Sequence, residues 1–314
     1  MKKKTQKTKP TLDLGVTIGK LKMVNPVMVA SGCFGYGEEI SKFYPLKQLG
    51  AIVVKGTTLE PRQGNSPTRM AETPAGMLNS IGLQNVGVDE LLKTKMPFLR
   101  KAGVPVVVNI NGKVLEEYVE LAKRLDGQTG IGALEINISC PNVKEGGIEF
   151  GSSPEAAARV VSAIRKATKH TLITKLSPNV TDVKTIARAC VDAGSDALSA
   201  INTVVGMAID AKARKPILKS ITGGLSGPAV KPIGLRVVYQ VRQVVKVPII
   251  GMGGIVTGED AVEYLLAGAT AVAVGTANYL EPNAALKVVE GLRKYMADNG
   301  VRKVSDLVGA LRIF

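Results

Sequence analysis

Residues 247–276 read VPIIGMGGIVTGEDAVEYLLAGATAVAVGT, and this one stretch holds a complete unit of a parallel α/β fold. An apolar run at 247–251 ends in Gly253-Gly254. Gly258-Glu259-Asp260 then leads into a helical segment at 261–267, since acidic side chains favour the positive end of a helix. A second apolar run, 271–274, ends in Gly275-Thr276. Two short buried strands joined by one amphipathic helix lie side by side and in parallel.

Outward from that unit the pattern repeats. Further apolar or β-branched runs occupy 26–30, 51–55, 106–109, 133–138, 171–175 and 197–201, and Ser153-Pro154-Glu155 and Asp182 mark further helix starts. Strand alternating with helix, eight times over, predicts an α/β protein of the (β/α)8 TIM-barrel class. Two intervals, 57–83 after the second strand and 203–228 after the sixth, are too long for bare crossovers. Their Gly, Pro, Ser and Thr content predicts loop or hairpin insertions on the catalytic rim. Residues 12–20 predict a hairpin turning at Gly15 that plugs the barrel floor. With no composition break beyond it, residues 12–314 are expected to form a single domain, preceded by a flexible basic tail at 1–11.

Composition narrows the function classes. The chain has 314 residues, 45% of them hydrophobic, with 4% aromatics and no Trp. That diet suits a barrel packed with aliphatic side chains and argues against a nucleic-acid platform of stacking rings. The net charge of +15 includes five lysines within the first nine residues; the remainder is diffuse and reads as a solvated basic surface. Three cysteines (Cys33, Cys140, Cys190), odd in number and widely spaced, exclude a disulfide framework and a four-thiolate cluster within this chain. The basic start lacks an apolar signal region. The most apolar stretch, 261–280, is broken by Glu263, two glycines and two threonines, so no membrane span is expected and the chain reads as cytoplasmic.

In a barrel of this class the active site lies at the C-terminal ends of the strands. Those ends carry Ser31, Gly32, Lys55, Asn109, Asn137, Cys140, Asn142, Lys175, Asn202, Gly253, Gly254, Gly275 and Thr276. Two lysines, four amides and a thiol converging on one rim make a site rather than a set of turns. The glycines after strands seven and eight let backbone amides approach a phosphate, with a helix N-terminus adding its dipole. No dinucleotide fingerprint is present. Acidic side chains are missing from the rim, which argues against a divalent metal and against two-carboxylate chemistry. Glu135 points into the barrel and is expected to pair with Lys175. The only histidine, His170, precedes the fifth strand and belongs at the opposite face, so Cys140 has no histidine partner and reads as a general base. Cys33 and Cys190 read as small apolar residues, one in a loop and one in a helix.

Five motifs then resemble one family. Residues 31–35 (SGCFG), 79–85 (NSIGLQN), 137–142 (NISCPN), 175–179 (KLSPN) and 223–228 (GGLSGP) are together similar to class 1 dihydroorotate dehydrogenases, in their 1B form. The resemblance implies one FMN per chain, held by Ser31, Lys55, Gly56, Asn109, Asn137, Lys175, Ile201, Gly227, Gly253, Gly254, Gly275 and Thr276. It implies dihydroorotate held by Lys55, Asn79, Ser80, Ile81, Gly82, Leu83, Asn137, Asn202 and Thr203, and oxidised to orotate in pyrimidine (UMP) biosynthesis. Cys140 would take the C5 proton while hydride leaves C6 for flavin N5. It further implies a homodimer core joined to a second subunit that carries FAD and a [2Fe-2S] cluster and reduces NAD, in a heterotetramer. A 1A-type enzyme using fumarate stays open as an alternative, as do a tRNA-dihydrouridine synthase and a Schiff-base aldolase using Lys175.

Overall fold

The computed structural model describes residues 12–139 and 147–314. The expected tail at 1–11, and with it Cys140 and Asn142, lie outside the described residues. Eight strands form a closed barrel: β1 (Val27–Val29), β2 (Ala51–Val53), β3 (Val106–Ile110), β4 (Ile131–Asn137), β5 (Thr171–Leu176), β6 (Ala197–Ala200), β7 (Ile249–Met252) and β8 (Ala271–Val274). Each pairs in parallel with the next in sequence, and β8 closes on β1 through Val272 opposite Val27 and Val274 opposite Val29. The (β/α)8 expectation is met at all eight strands. The seventh starts two residues later than its apolar run suggests, at Ile249.

Strand alternation divides the apolar residues into two cores. Leu134 and Ile136 on β4, like Val272 and Val274 on β8, face outward into the shell beneath the helices. Their neighbours Ala133, Ala271 and Ala273 face inward and pack with Met28, Ala51, Val53, Val107, Ile173 and Ile250. Alanine is the commonest residue of the inner set, because eight converging strands leave little room along the axis.

A hairpin of strands Val16–Ile18 and Leu21–Met23 closes the floor, with Ile18, Leu21 and Met23 buried in the inner core. The plug is as expected, but its turn falls at Gly19-Lys20 rather than Gly15. Gly19 adopts φ +56, and a Cβ there would meet the Thr171 side chain at 2.7 Å. Lys20 N donates to Thr171 Oγ1 at 2.8 Å, which ties the plug to the first residue of β5.

The helices start where their signals stand. Ser153 Oγ accepts from Ala156 N, Asp182 Oδ1 accepts from Lys184 N, and Thr257 with Asp260 forms a reciprocal capping box. The two long intervals contain strands, as expected, but they build one structure together. Strands Met70–Thr73 and Gly76–Asn79 from the first join Val204–Met207 and Thr222–Ser226 from the second in a four-stranded antiparallel sheet over the rim. Among the described residues no helix is long and apolar enough to cross a membrane.

If the floor plug stabilises the barrel by packing, Ile18→Ala should cost about 2–5 kcal/mol in urea unfolding, the usual range for a buried aliphatic truncation. A loss below about 1 kcal/mol would show that the barrel does not depend on its plug.

Candidate active site

Inward-facing residues change character on climbing the barrel. On β3 to β6 the lower inward positions are Val107, Ala133, Ile173 and Ala197; one alternation higher stand Asn109, Glu135, Lys175 and Ser199, all buried. Glu135 organises this layer. Its Oε2 accepts from Asn109 Nδ2 at 2.6 Å and its Oε1 from Ser199 Oγ at 2.8 Å. Asn111 Nδ2 donates to Asn109 Oδ1 at 2.7 Å, fixing the orientation of that amide. Lys175 Nζ lies 4.0 Å from Glu135 Oε2 and 3.5 Å from Ser31 Oγ. The expected Glu135–Lys175 pair is present but long, so the ammonium keeps donor capacity for a ligand.

Above this layer the mouth opens into a cleft enclosing about 1360 Å3, part of it continuous with solvent. The strand ends bring Ser31 (β1), Lys55 and Gly56 (β2), Asn109 (β3), Asn137 (β4), Lys175 (β5), and Ile201, Asn202 and Thr203 (β6) to its wall. Gly253 and Gly254 follow from β7, and Gly275 and Thr276 from β8. The rim sheet and its flanks add Asn79, Ile81, Gly82, Leu83 and Gly227. Ser80 is not part of the wall: it is buried, its hydroxyl accepts from Asn65 Nδ2 at 3.0 Å, and its N–H donates to Arg69 O. Its place is to hold the neighbouring residues. Asn202 Nδ2 donates to Ser139 O and Oγ, both at 3.0 Å. His170 sits one residue before β5 at the far face, with Nε2 against Leu125 O.

One reading from sequence is corrected. Cys33 is not simply a small loop residue, because it lines the cleft. Burial pushes its thiol up, against smaller downward pulls from Lys175 and Tyr279. The helix after β7 carries a carboxylate of its own at its N-terminus. The Asp260 carboxylate accepts from Val256 N at 2.9 Å and Thr257 N at 2.8 Å. The sequence reading also missed Ser226, which accepts from Thr276 Oγ1 at 2.8 Å, and Tyr279, whose hydroxyl donates to Gly32 O. Both stand next to, or three residues beyond, positions already singled out, and adjacency was the only signal available.

The profile described as dihydroorotate dehydrogenase matches residues 13–296. The chain is 57% identical over 299 residues to a protein of Geotalea uraniireducens named "Dihydroorotate dehydrogenase B (NAD(+)), catalytic subunit", covering 95% of this chain and 98% of that one. A protein of the same name from Geobacter sulfurreducens is 58% identical over 301 residues, covering 96% and 99%. The chain belongs to the dihydroorotate dehydrogenase family. A solved structure of the Eimeria tenella DHODH in complex with ferulenol superposes with a TM-score of 0.77 at 26% identity, covering 95% of this chain and 88% of that one.

Dihydroorotate dehydrogenases bind a flavin, and the cleft suits one. Ammonium groups and fixed amides face it from β2 to β6, matching the carbonyls and nitrogens of an isoalloxazine ring. Gly32 has no neighbour within 4 Å in the direction of a side chain, and at Gly275 the nearest atom is the Cys33 sulfur at 3.6 Å, so backbone approaches the space closely. Gly254 N–H has no backbone acceptor among the described residues.

Glu135→Leu should destabilise the protein by about 3–5 kcal/mol, because it strands Lys175, Asn109 and Ser199 without their shared acceptor; equilibrium denaturation checks this, and an unchanged midpoint would refute it. Burial, and next the Arg69 charge, hold the Lys55 ammonium below its ordinary 10.5, with Glu39 pulling the other way. The resulting penalty on the folded state is full below the folded pKa and fades as pH climbs from there to 10.5. Flavin-free Lys55→Met protein should therefore melt above the parent at pH 8, by a margin that shrinks as pH approaches 10.5. A lower melting temperature at pH 8 would contradict this.

Proposed function

We propose that this chain is the FMN-dependent catalytic subunit that oxidises (S)-dihydroorotate to orotate in cytoplasmic pyrimidine biosynthesis, with NAD+ as final acceptor through a partner subunit. The observation that carries the reading is the convergence of two lysines, four asparagines and two glycine loops on one cleft, in a chain 57–58% identical to proteins named as such subunits.

Ser31, Lys55, Gly56, Asn109, Asn137, Lys175, Ile201, Gly227, Gly253, Gly254, Gly275 and Thr276 hold the cofactor in this reading. When bound, FMN supplies the acceptor for the hydride that leaves C6 of the substrate. Lys55 offers its charge to the substrate carboxylate, while Asn79, Asn137, Asn202 and Thr203 pair with the ring's imide edges. The segment from Asn79 through Ser80, Ile81 and Gly82 to Leu83 shapes that side and keeps water out. Cys140, the residue after Ser139, takes the C5 proton, so that proton and hydride leave adjacent carbons and a C5–C6 double bond forms. A thiol serves this role as thiolate, and a cation set beside a thiol lowers its pKa from the ordinary value of about 8.5.

The partner would carry FAD and a [2Fe-2S] cluster, because this chain has three cysteines and no dinucleotide fingerprint. A homodimer of this chain at the centre of a heterotetramer accommodates both subunits.

In Cys140→Ala, flavin content should stay at the parent level while flavin reduction by dihydroorotate slows roughly 100-fold or more, the scale of a lost general base. Stopped-flow reduction near the parental rate would remove Cys140 from the mechanism. Cys140→Ser should keep partial activity with its pH optimum moved upward, as a hydroxyl is the weaker acid. Turnover with fumarate and none with NAD+ in the presence of the co-purified partner would overturn the assigned acceptor.

A further inference from the structure

Tyr264 lies on the helix Gly258–Leu266, outside the cleft, and is fully buried. Its ring occupies a slot that exists only because of glycines. A Cβ on Gly251 would stand 2.4 Å from the ring, and one on Gly234 would stand 2.0 Å from the hydroxyl. Three carbonyls surround that hydroxyl. Gly253 O is nearest at 2.8 Å, with Met252 O at 3.3 Å and Lys231 O at 3.5 Å. Burial pushes the phenol well above its ordinary range, so it remains a donor at any working pH.

Peptide planarity turns this contact into a consequence for the cleft. In a trans peptide the carbonyl of one residue and the N–H of the next point in opposite directions. Holding the Gly253 carbonyl back toward the helix aims the Gly254 N–H forward, and Gly254 belongs to the cleft wall. That N–H has no backbone acceptor among the described residues. At the helix N-terminus nearby, Asp260 takes the N–H groups of Val256 and Thr257. Left to itself a glycine pair with φ +123 and +69 is free to rotate its peptide planes; a hydrogen bond to one carbonyl removes that freedom.

We infer that Tyr264 is a positioning residue for cofactor binding, its hydroxyl fixing the Gly253–Gly254 peptide so that the Gly254 N–H meets the cofactor's phosphate. The inference rests on the flavin reading above and extends it to a residue that touches neither cofactor nor substrate.

Tyr264→Phe keeps the ring in its slot and deletes only the donor. The test strips flavin from the parent and the variant and titrates each with FMN and with riboflavin, which lacks the phosphate, following quenching of flavin fluorescence. FMN should bind the variant roughly 5- to 10-fold more weakly, the effect of one lost hydrogen bond to a donor-orienting group, while riboflavin affinity stays within about twofold. Equal weakening of both ligands would mean a general packing role and would overturn the inference, as would unchanged FMN affinity. A parent that binds riboflavin as tightly as FMN would sink the phosphate placement itself, a result separable from the other two because it appears before any substitution is made.

Discussion

The closure of eight parallel strands is the constraint from which the rest follows. Once the sheet meets itself, every second residue must point at the axis, and the axis has finite width. At the floor that space is filled by alanines, valines and the hairpin plug. One step higher the inward positions are Asn109, Glu135, Lys175 and Ser199, which can be buried only because they satisfy one another. The polar layer is therefore both the roof of the core and the foundation of the cleft.

Charge in that layer is balanced with little to spare. Glu135 is the acid that faces Lys175, and it divides its two oxygens among an amide, a hydroxyl and a distant ammonium. Lys55 on the other side feels Arg69 more than Glu39. An anionic ligand entering such a mouth meets fixed donors and positive charge that water no longer screens fully. This is the arrangement expected of a pocket for a carboxylate-bearing ring above an electron-accepting cofactor.

The strands of the barrel were legible because parallel strands buried on both faces leave short continuous apolar runs, each stopped by a polar or glycine residue. The residues at those stops were legible for the same reason, since the topology fixes which end is functional. Three things were not. The hairpin turn was misplaced because Gly15 and Gly19 are equivalent as letters, and only the contact with Thr171 tells them apart. Cys33 looked like filler because a lone cysteine carries no pattern of its own. The joint rim sheet left no trace because its central pairing connects positions about 150 residues apart, as in Ser226 and Met77, through glycine-rich strands that lack any alternation.

That shared sheet also limits how the protein can change. Asn79, the segment 81–83 and Gly227 all line the cleft, and they hang from the register that sets Gly224 against Asn79 and Ser226 against Met77. Adding a single residue to either insertion within the paired strands would reverse the facing of its neighbours. The two segments, though far apart in the chain, thus hold one another to length wherever they pair, and surface loops that would ordinarily be the most permissive part of a barrel keep that freedom only outside the paired strands.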